Sequence, residues 1–338
     1  MTRRILIVKP SSLGDIVDTL PAVGAIRKRF PSATISWLVK LEWAPILRGH
    51  PFVDEVIAVS FSWKAIPQMI RVVRNQMFDL VIDFQGLLRS ALLSYATKAK
   101  VRVGFSAARE GARWFYTDPI TVPEKVVHAV DRYRWLARAL GCNVNEVRFG
   151  FLPTSEVAEK VTDLLSECGL SGSVSFVLIH PTARWENKRW EPARFAALAD
   201  RVILGRRLPL FFVGSGNERE EIDRIVRGMK QPTVNLAGRT TLPELAELAR
   251  RARLFICNDS GPMHLAAAVG TPIVALFGPT DPKKVGPYGP GHIVIRKGVG
   301  CIGCSRNHCV RGNECMNAIS VDDVIHKIKM RGEEDGNR

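Results

Sequence analysis

The sequence predicts an α/β protein built from two parallel-sheet domains, and three observations carry that prediction. Short apolar runs alternate with amphipathic helical stretches along most of the chain, which is the pattern of parallel strands joined by right-handed crossovers. The strand-like runs are apolar at successive positions, as in RILIVK at residues 4–9, so they suit a sheet covered on both faces. The β/α series also starts a second time after a glycine- and serine-containing stretch, in a chain of 338 residues, long enough for two cores of ordinary size.

RILIVK gives the first strand. LPAVGAIRKRF then sets Leu20, Val23, Ile26 and Phe30 along one helical stripe. TISWLV, DEVIAV, DLVIDF and VRVGF (Val101–Phe105) read as four more strands. FLPTSEVAEKVTDLLSECGLSG predicts a helix capped by Thr154 or Ser155 and ended by Gly169. The second series is SFVLIH, PLFFVG, TVNLAG, RLFICND, PIVALFG and HIVIR. The boundary is expected near residues 150–172, giving an N-terminal domain of 1–155 and a C-terminal domain of 172–325. Residues 326–338 are expected to be a helix end and a polar tail, with MRGEEDGNR lacking order. Two open sheets in one chain are expected to leave a cleft, and ligands of such sheets lie beyond the carboxyl ends of the strands.

Hydrophobic residues make up 46% of the chain and charged residues 24%, the balance of a soluble globular protein. No apolar run approaches the roughly 20 residues that span a bilayer. The basic N-terminus carries only ILIV, short of the about 7–15 apolar residues of a secretory signal, so the expected location is the cytoplasm. Net charge is +15, and the first 150 residues hold 22 basic and 12 acidic side chains against 26 and 21 in the remainder. A basic N-terminal half points to an anionic partner or to a plain solubility charge. Without a zinc-finger, RNA-recognition or helix-turn-helix signature, nucleic acid is the weaker partner and an anionic lipid surface the stronger.

Four strand tips carry the residues that chemistry would use. In VKPSSLGDIVDTLPAV, Ser11, Ser12, Gly14 and Asp15 follow the first strand. Asp15 there is either a general base that takes a proton from an attacking hydroxyl, with Ser11 and Ser12 to orient it, or a helix N-cap. In FICNDSGPMHLAAAVGTPIVALFGPTDP, Asp259, Ser260 and Gly261 lead into a helix with His264 in its first turn, and a second tip follows at Thr280. Helix N-terminal N–H groups and glycine-lined turns suit a phosphate; the alternative is that the turns are ordinary capped junctions, a reading that two such tips together weaken. In HPTARWENKRWEP, Thr182 ends a strand and Lys188 lies in the loop, placed to neutralise a diphosphate. In VGSGNERE, Glu218 follows a Gly-Ser-Gly turn, where it could accept from ribose hydroxyls or favour the helix N-terminus. No G-x-G-x-x-G follows the first strand and no Tyr-x-x-x-Lys pair occurs, which disfavours a nucleotide-sugar epimerase or dehydrogenase. An Asp-x-Asp metal pair is also missing.

CIGCSRNHCVRGNEC spaces Cys301, Cys304, Cys309 and Cys315 as C-x2-C-x4-C-x5-C. The spacing admits a structural metal, an iron–sulfur cluster or a reduced or partly oxidised surface loop. None of these alters the chemistry assigned to the strand tips, and no catalytic metal is expected.

Taken with DLVIDFQGLLRSALL and HAVDRYRWLA, these motifs occur in order along nearly the whole chain. They resemble the bacterial ADP-heptose:lipopolysaccharide heptosyltransferases, glycosyltransferase family 9. The resemblance implies the GT-B fold, with two Rossmann-like domains facing across a cleft. It implies transfer of heptose from ADP-L-glycero-D-manno-heptose to the lipopolysaccharide inner core, inverting at the sugar carbon, with no cofactor. It matches Asp15 to the catalytic aspartate and Lys188 to the diphosphate-binding lysine. Glu218 matches the ribose-binding acid, and Asp259, Ser260, Gly261 and His264 the phosphate and sugar contacts. Thr182 sits near the donor phosphates, and Gly14 matches the turn. SSLGD, DFQGLLRSALL and AREG resemble heptosyltransferase I, whose acceptor is the Kdo of a Kdo–lipid A precursor. NDSGPMHLAAA and the cysteine loop look equally like heptosyltransferase II, which extends the first heptose. A non-catalytic nucleotide-sugar binding protein is the further alternative. Candidate acceptor contacts are Arg89, Arg109, Arg113 and Arg132, Arg109 foremost. The implied setting is the cytoplasmic face of the inner membrane, where anionic lipid attracts a basic surface.

Overall fold

The computed structural model of the chain describes residues 3–60, 63–170, 172, 174–301 and 303–336. Its internal contacts separate two compact units, Met1–Leu152 and Pro153–Arg338.

The first unit runs β1 (Arg4–Val8), α1 (Leu13–Arg29), β2 (Thr34–Lys40), β3 (Glu55–Val59), α2 (Ile66–Asn75), β4 (Leu80–Asp83), α3 (Leu88–Ala96), β5 (Val101–Phe105), β6 (Asp118–Ile120) and α4 (Ala129–Ala139). The strands form one parallel sheet in the order β3-β2-β1-β4-β5-β6. Val8, the end of β1, is in register with Leu38 of β2 and Asp83 of β4. The five strands read from the sequence are all present. β6 is the addition: three residues, Asp-Pro-Ile, with no apolar run to announce them. Proline is tolerated there because β6 is an edge strand.

α1 starts earlier than its apolar stripe suggests. It opens at Leu13 and continues through Pro21, with every residue from Ile16 to Ile26 buried. Proline inside a helix removes one hydrogen bond and costs about 3 kcal/mol. Packing of the buried face, which lies against α4, outweighs that. The early start places Asp15 in the first helical turn rather than in a loop.

Gly104 on β5 has a steric role. A Cβ at this position would lie 2.4 Å from the Tyr116 ring. Its absence lets the ring lie across the strand and the Tyr116 hydroxyl donate to the Asp83 carboxylate at 2.8 Å. The Gln85 and Gly86 backbone N–H groups donate to the other oxygen at 2.8 and 3.1 Å. Asp83 is fully buried, and that burial pushes its pKa up despite these bonds. Gly104→Ala is expected to destabilise this unit by about 3 kcal/mol, since the ring must leave a packed core and abandon a buried carboxylate. Urea unfolding measures this, and a loss below about 0.5 kcal/mol would show that the ring moves aside at little cost.

His50 gives this unit a pH dependence. The ring is buried against Phe52 and Phe151, with centroids at 5.0 and 5.5 Å, and Nε2 lies 2.9 Å from the Phe149 carbonyl oxygen. Burial lowers its pKa from 6.5 to about 4. Between those values the unfolded chain binds a proton that the folded chain refuses. His50 therefore subtracts stability as pH falls below about 6.5, by about 1.4 kcal/mol per pH unit at most, until the folded group titrates near 4. His50→Gln should flatten that part of the stability curve when unfolding is followed at pH 7 and pH 4.5, and an unchanged slope would assign it to other groups.

The second unit runs α5 (Ser155–Glu167), β7 (Val177–His180), α6 (Pro192–Arg206), β8 (Leu210–Phe212), α7 (Arg219–Arg227), β9 (Val234–Asn235), α8 (Leu242–Arg251), β10 (Leu254–Asn258), α9 (Gly261–Ala268), β11 (Ile273–Leu276), α10 (Pro282–Val285), β12 (Ile293–Ile295), α11 (Glu314–Asn317) and α12 (Val321–Gly336). α5 is capped by Thr154, whose side chain accepts from Val157 N–H. The parallel sheet has the order β12-β11-β10-β7-β8-β9. Its core gathers Trp190, Phe195, Phe212, Ile256, Leu276 and Met316. α12 packs on α6 and continues to Gly336, so residues 330–336, expected to be a tail without order, extend the helix. Lys329, Met330, Arg331, Glu333 and Glu334 are good helix formers. No helix among the described residues is long and apolar enough to cross a membrane.

Counted from its own first strand, each sheet has the same order, 3-2-1-4-5-6. The direction of winding reverses between the first and fourth strands. The crevice at the carboxyl ends of those two strands is where such sheets bind ligands. In the first unit those strands are β1 and β4, and in the second β7 and β10.

Candidate active site

In the first unit, the tip of β1 delivers Lys9 and then Ser11, Ser12 and Asp15. Ser12 is the N-cap of α1 and Asp15 its third residue. The two carboxylate oxygens are divided between two sets of donors. Oδ2 accepts from the Ser12 N–H at 3.2 Å and the Ser12 hydroxyl at 3.0 Å. Oδ1 accepts from the Tyr133 hydroxyl at 2.9 Å and lies 3.5 Å from the Lys9 ammonium. Asp15 thus closes the helix turn, as a capping residue does. Its side chain nevertheless stays 43% exposed, so the carboxylate keeps an open side. Lys9 is buried, with its ammonium 5.0 Å from the Tyr133 ring centroid and 3.3 Å from the Phe84 carbonyl oxygen. Desolvation alone would raise the Asp15 pKa. The Lys9 charge and the Ser12 and Tyr133 hydrogen bonds outweigh it and hold the carboxyl below its ordinary value. Asp15 is therefore ionised at neutral pH and able to accept a proton.

Lys9 and Tyr133 were not read as site residues. Lys9 looks like the end of a strand, and Tyr133 lies 118 residues from Asp15 on a different element. Of the other expected acceptor residues, Ser11 is half-buried and Gly14 is buried in the first turn of α1. Arg109 is exposed in the loop after β5, and its N–H donates to the Gly86 carbonyl at 3.0 Å. Arg113 is exposed over the Trp114 ring, and Arg89 is half-buried in the first turn of α3. Arg132 is linked to Asp15 through its neighbours. Its guanidinium lies 5.7 Å from the Phe105 ring centroid, and Phe105 packs 6.2 Å from Tyr133.

In the second unit, three strand tips are joined by one hydrogen-bond chain. His180 ends β7 and is buried. Its Nδ1 lies 3.2 Å from the Ser260 hydroxyl, past the tip of β10, and its Nε2 lies 3.2 Å from the Thr182 hydroxyl. Thr182 donates in turn to Glu218, past the tip of β8. Burial lowers the His180 pKa and keeps the ring neutral, and a hydroxyl has one proton, so this chain has one direction. Ser260 donates to Nδ1, the Nε2–H donates to Thr182, and Thr182 donates to Glu218. Glu218 is also fixed by the Ser215 N–H and hydroxyl, both at 2.7 Å. Desolvation would raise its pKa, but the Thr182 and Ser215 hydrogen bonds bring it below the ordinary value. The protons of Thr182 and Ser260 thus point into the protein. An anion at these tips would be met by backbone N–H groups and by cations. His180 is the residue missed here; its position at a buried strand end reads as core.

Lys188 supplies the cation. Its ammonium lies 2.6 Å from an Asp259 oxygen and 4.6 Å from the Trp185 ring centroid, with the side chain 16% exposed. Thr280, past the tip of β11, donates to the same Asp259 oxygen at 2.5 Å. Asp259 therefore holds Lys188 rather than offering an open carboxylate. Asn258 locks the base of the loop, donating to the Pro181 carbonyl at 2.6 Å and accepting from the Trp190 N–H at 3.3 Å. Gly261 begins α9, and His264 is buried in its first turn. Behind these tips Gly238, with φ +76°, carries no side chain. A Cβ there would fall 2.9 Å from the Gly216 Cα, so the turn before Glu218 can close onto the loop after β9.

Among the four clustered cysteines, Cys315 is buried, Cys301 and Cys309 are half-buried and Cys304 is exposed. Burial, with the neighbouring Cys309 and Cys301, raises the Cys315 pKa. No group of three or more His, Cys, Asp or Glu among the described residues is arranged to hold a metal ion.

The profile of glycosyltransferase family 9 (heptosyltransferase) matches residues 66–314. Lipopolysaccharide heptosyltransferase 1 of Pseudomonas aeruginosa is 33% identical over 328 residues, spanning 90% of this chain and 87% of that protein. A solved glycosyl transferase family 9 structure from Veillonella parvula is 26% identical. It matches with a TM-score of 0.84 over 98% of this chain and 97% of that one. The E. coli heptosyltransferase WaaC with ADP is 25% identical, with a TM-score of 0.75 over 97% and 99% of the two chains. Two six-stranded parallel sheets of one order, each with polar strand tips at its reversal point, are the GT-B architecture of these glycosyltransferases. Sequence, sheet topology and this likeness agree: the chain belongs to glycosyltransferase family 9, the heptosyltransferases.

Proposed function

We propose that the chain transfers heptose from ADP-L-glycero-D-manno-heptose to the Kdo of a lipopolysaccharide precursor, with inversion and with Asp15 as general base. The observation that carries this reading is the Asp15 carboxylate. It is ionised, partly exposed and surrounded by donors at the reversal point of the first sheet. The name heptosyltransferase 1, borne by the relative that is 33% identical, supports this acceptor over a heptose-terminated one.

Asp15 takes the proton of the acceptor hydroxyl while that oxygen attacks the anomeric carbon. The bond to ADP breaks on the opposite face, and negative charge grows on the departing diphosphate. Lys188 and the N–H groups at the start of α9 meet that charge. Glu218 accepts from the ribose hydroxyls, and no cofactor beyond the donor enters this scheme. The acceptor carries lipid, so the enzyme works as a peripheral protein on the cytoplasmic face of the inner membrane. Nucleic acid is not a partner.

The test is a transfer assay with purified protein, ADP-heptose and acceptors ending either in Kdo or in one heptose, products being read by mass. Addition of one heptose to the Kdo acceptor is the expected result. Addition only to the heptose-terminated acceptor would assign the heptosyltransferase II reaction instead. Donor binding without turnover on any acceptor would leave a nucleotide-sugar binding protein.

A further inference from the structure

We propose that the face formed by α3, the start of β5 and the short helical turn Ala112–Phe115 docks on an anionic bilayer. Ala91, Ala112 and Tyr116 cluster beneath this face and hold its parts together. Above them, large apolar side chains stand in solvent: Trp114 is 77% exposed, Tyr95 58% and Val101 39%. Phe115 packs edge-on against Tyr95, with centroids 5.8 Å apart, and ties the turn to the helix. The Arg102 side chain donates to the Phe115 carbonyl at 2.9 Å and lies 5.5 Å from the Tyr95 ring centroid. Arg113 lies 4.7 Å from the Trp114 ring centroid. From residue 89 to residue 116 the chain holds six Lys or Arg and one acidic side chain, Glu110.

Exposed tryptophan and tyrosine among cations is the composition that partitions into a headgroup region. The rings enter the interface, and the cations meet lipid phosphates. A single-stranded nucleic acid also favours aromatic and basic surfaces, but it needs open ring faces on which bases stack. Here one face of each ring already carries a guanidinium. The site chemistry already assigned uses none of Trp114, Tyr95, Lys98 or Lys100. The physiological sense of the inference rests on the proposed lipid-linked acceptor, because a lipid substrate reaches an enzyme seated on the bilayer. Vesicle binding itself is independent of that reading.

The test is co-sedimentation of the full chain with phosphatidylethanolamine–phosphatidylglycerol vesicles and with phosphatidylcholine vesicles. Binding only to the anionic vesicles, weakened by salt, is expected. Trp114→Ala should lower it severalfold, and Lys98→Asn with Lys100→Asn about tenfold or more. Asparagine is chosen because Lys98 has φ +59°, a conformation asparagine accepts. Lys327→Asn with Lys329→Asn removes the same charge from exposed positions on α12 and should leave binding near the unmodified level. Equal loss in both double variants would overturn the proposal in favour of diffuse charge. Tighter capture of a single-stranded RNA oligomer than of vesicles would overturn it too. So would a dimer in solution that Trp114→Ala dissociates. Trp114→Ala should also keep turnover on a delipidated acceptor while losing it on vesicle-borne acceptor. Vesicle binding without transfer to any acceptor would sink the enzymatic reading alone. Transfer that is insensitive to Trp114→Ala on vesicles would sink this one alone.

Discussion

Asp15→Asn is expected to lower kcat for heptose transfer by about a thousandfold or more while donor affinity changes by less than about threefold. The asymmetry follows from the surroundings of the carboxylate. The Ser12 N–H, the Ser12 hydroxyl, the Tyr133 hydroxyl and the Lys9 ammonium all donate toward it. A carboxylate has only acceptors and satisfies them all. An amide removes the base and turns one N–H pair against neighbouring donors. Thermal unfolding must accompany the assay, since part of the loss could come from the first turn of α1. A folded variant with undiminished turnover would remove Asp15 from the mechanism. Lys9→Met gives a second handle with a worked sign. Lys9 offsets the desolvation that would otherwise raise the Asp15 pKa. Without it the acid limb of kcat/KM should move to higher pH, because the base then protonates sooner. A limb that stays in place would mean that the hydrogen bonds of Ser12 and Tyr133 suffice.

Lys188→Met should reduce kcat/KM by about a hundredfold to a thousandfold and weaken ADP binding, since in the proposed mechanism the ammonium meets the diphosphate in both ground and transition states. It should also destabilise the second unit by about 3 kcal/mol, because Asp259 is buried and loses its counter-charge. The two effects separate in the double variant Lys188→Met with Asp259→Asn. The amide retains a partner in Thr280, so most of the stability should return while activity stays low. Recovery of activity together with stability would make Lys188 a structural residue rather than a donor-binding one. Calorimetric titration with ADP and urea unfolding read the two quantities independently.

Much of the architecture was legible because the strands are buried on both faces. Continuous apolar runs such as RILIVK and LFICN can be read without knowing their neighbours. β6 escaped because an edge strand of three residues needs little burial and carries no such run. The true start of α1 stays open in the sequence because Asp15 reads either as a base beyond the strand or as an N-cap; the structure makes Ser12 the N-cap and carries the helix through Pro21, with packing that no local window contains. The polar C-terminal residues misled in the other direction, since composition spoke for disorder while α12 continued.

The strand-tip motifs were fixed by the order of residues alone. Chain direction sets where a strand ends, so Asp15, Lys188, Glu218 and Asp259 could be placed beyond carboxyl ends from sequence. Their electrostatic state could not. That Asp15 is held ionised by Lys9 and Tyr133, that His180 orders the protons of Ser260 and Thr182, and that Asp259 clamps Lys188 are consequences of residues as far as 118 positions apart meeting within their own unit. Hydrogen bonds and charge pairs act over a few ångströms, so only the packed sheet and its helices decide which groups feel one another.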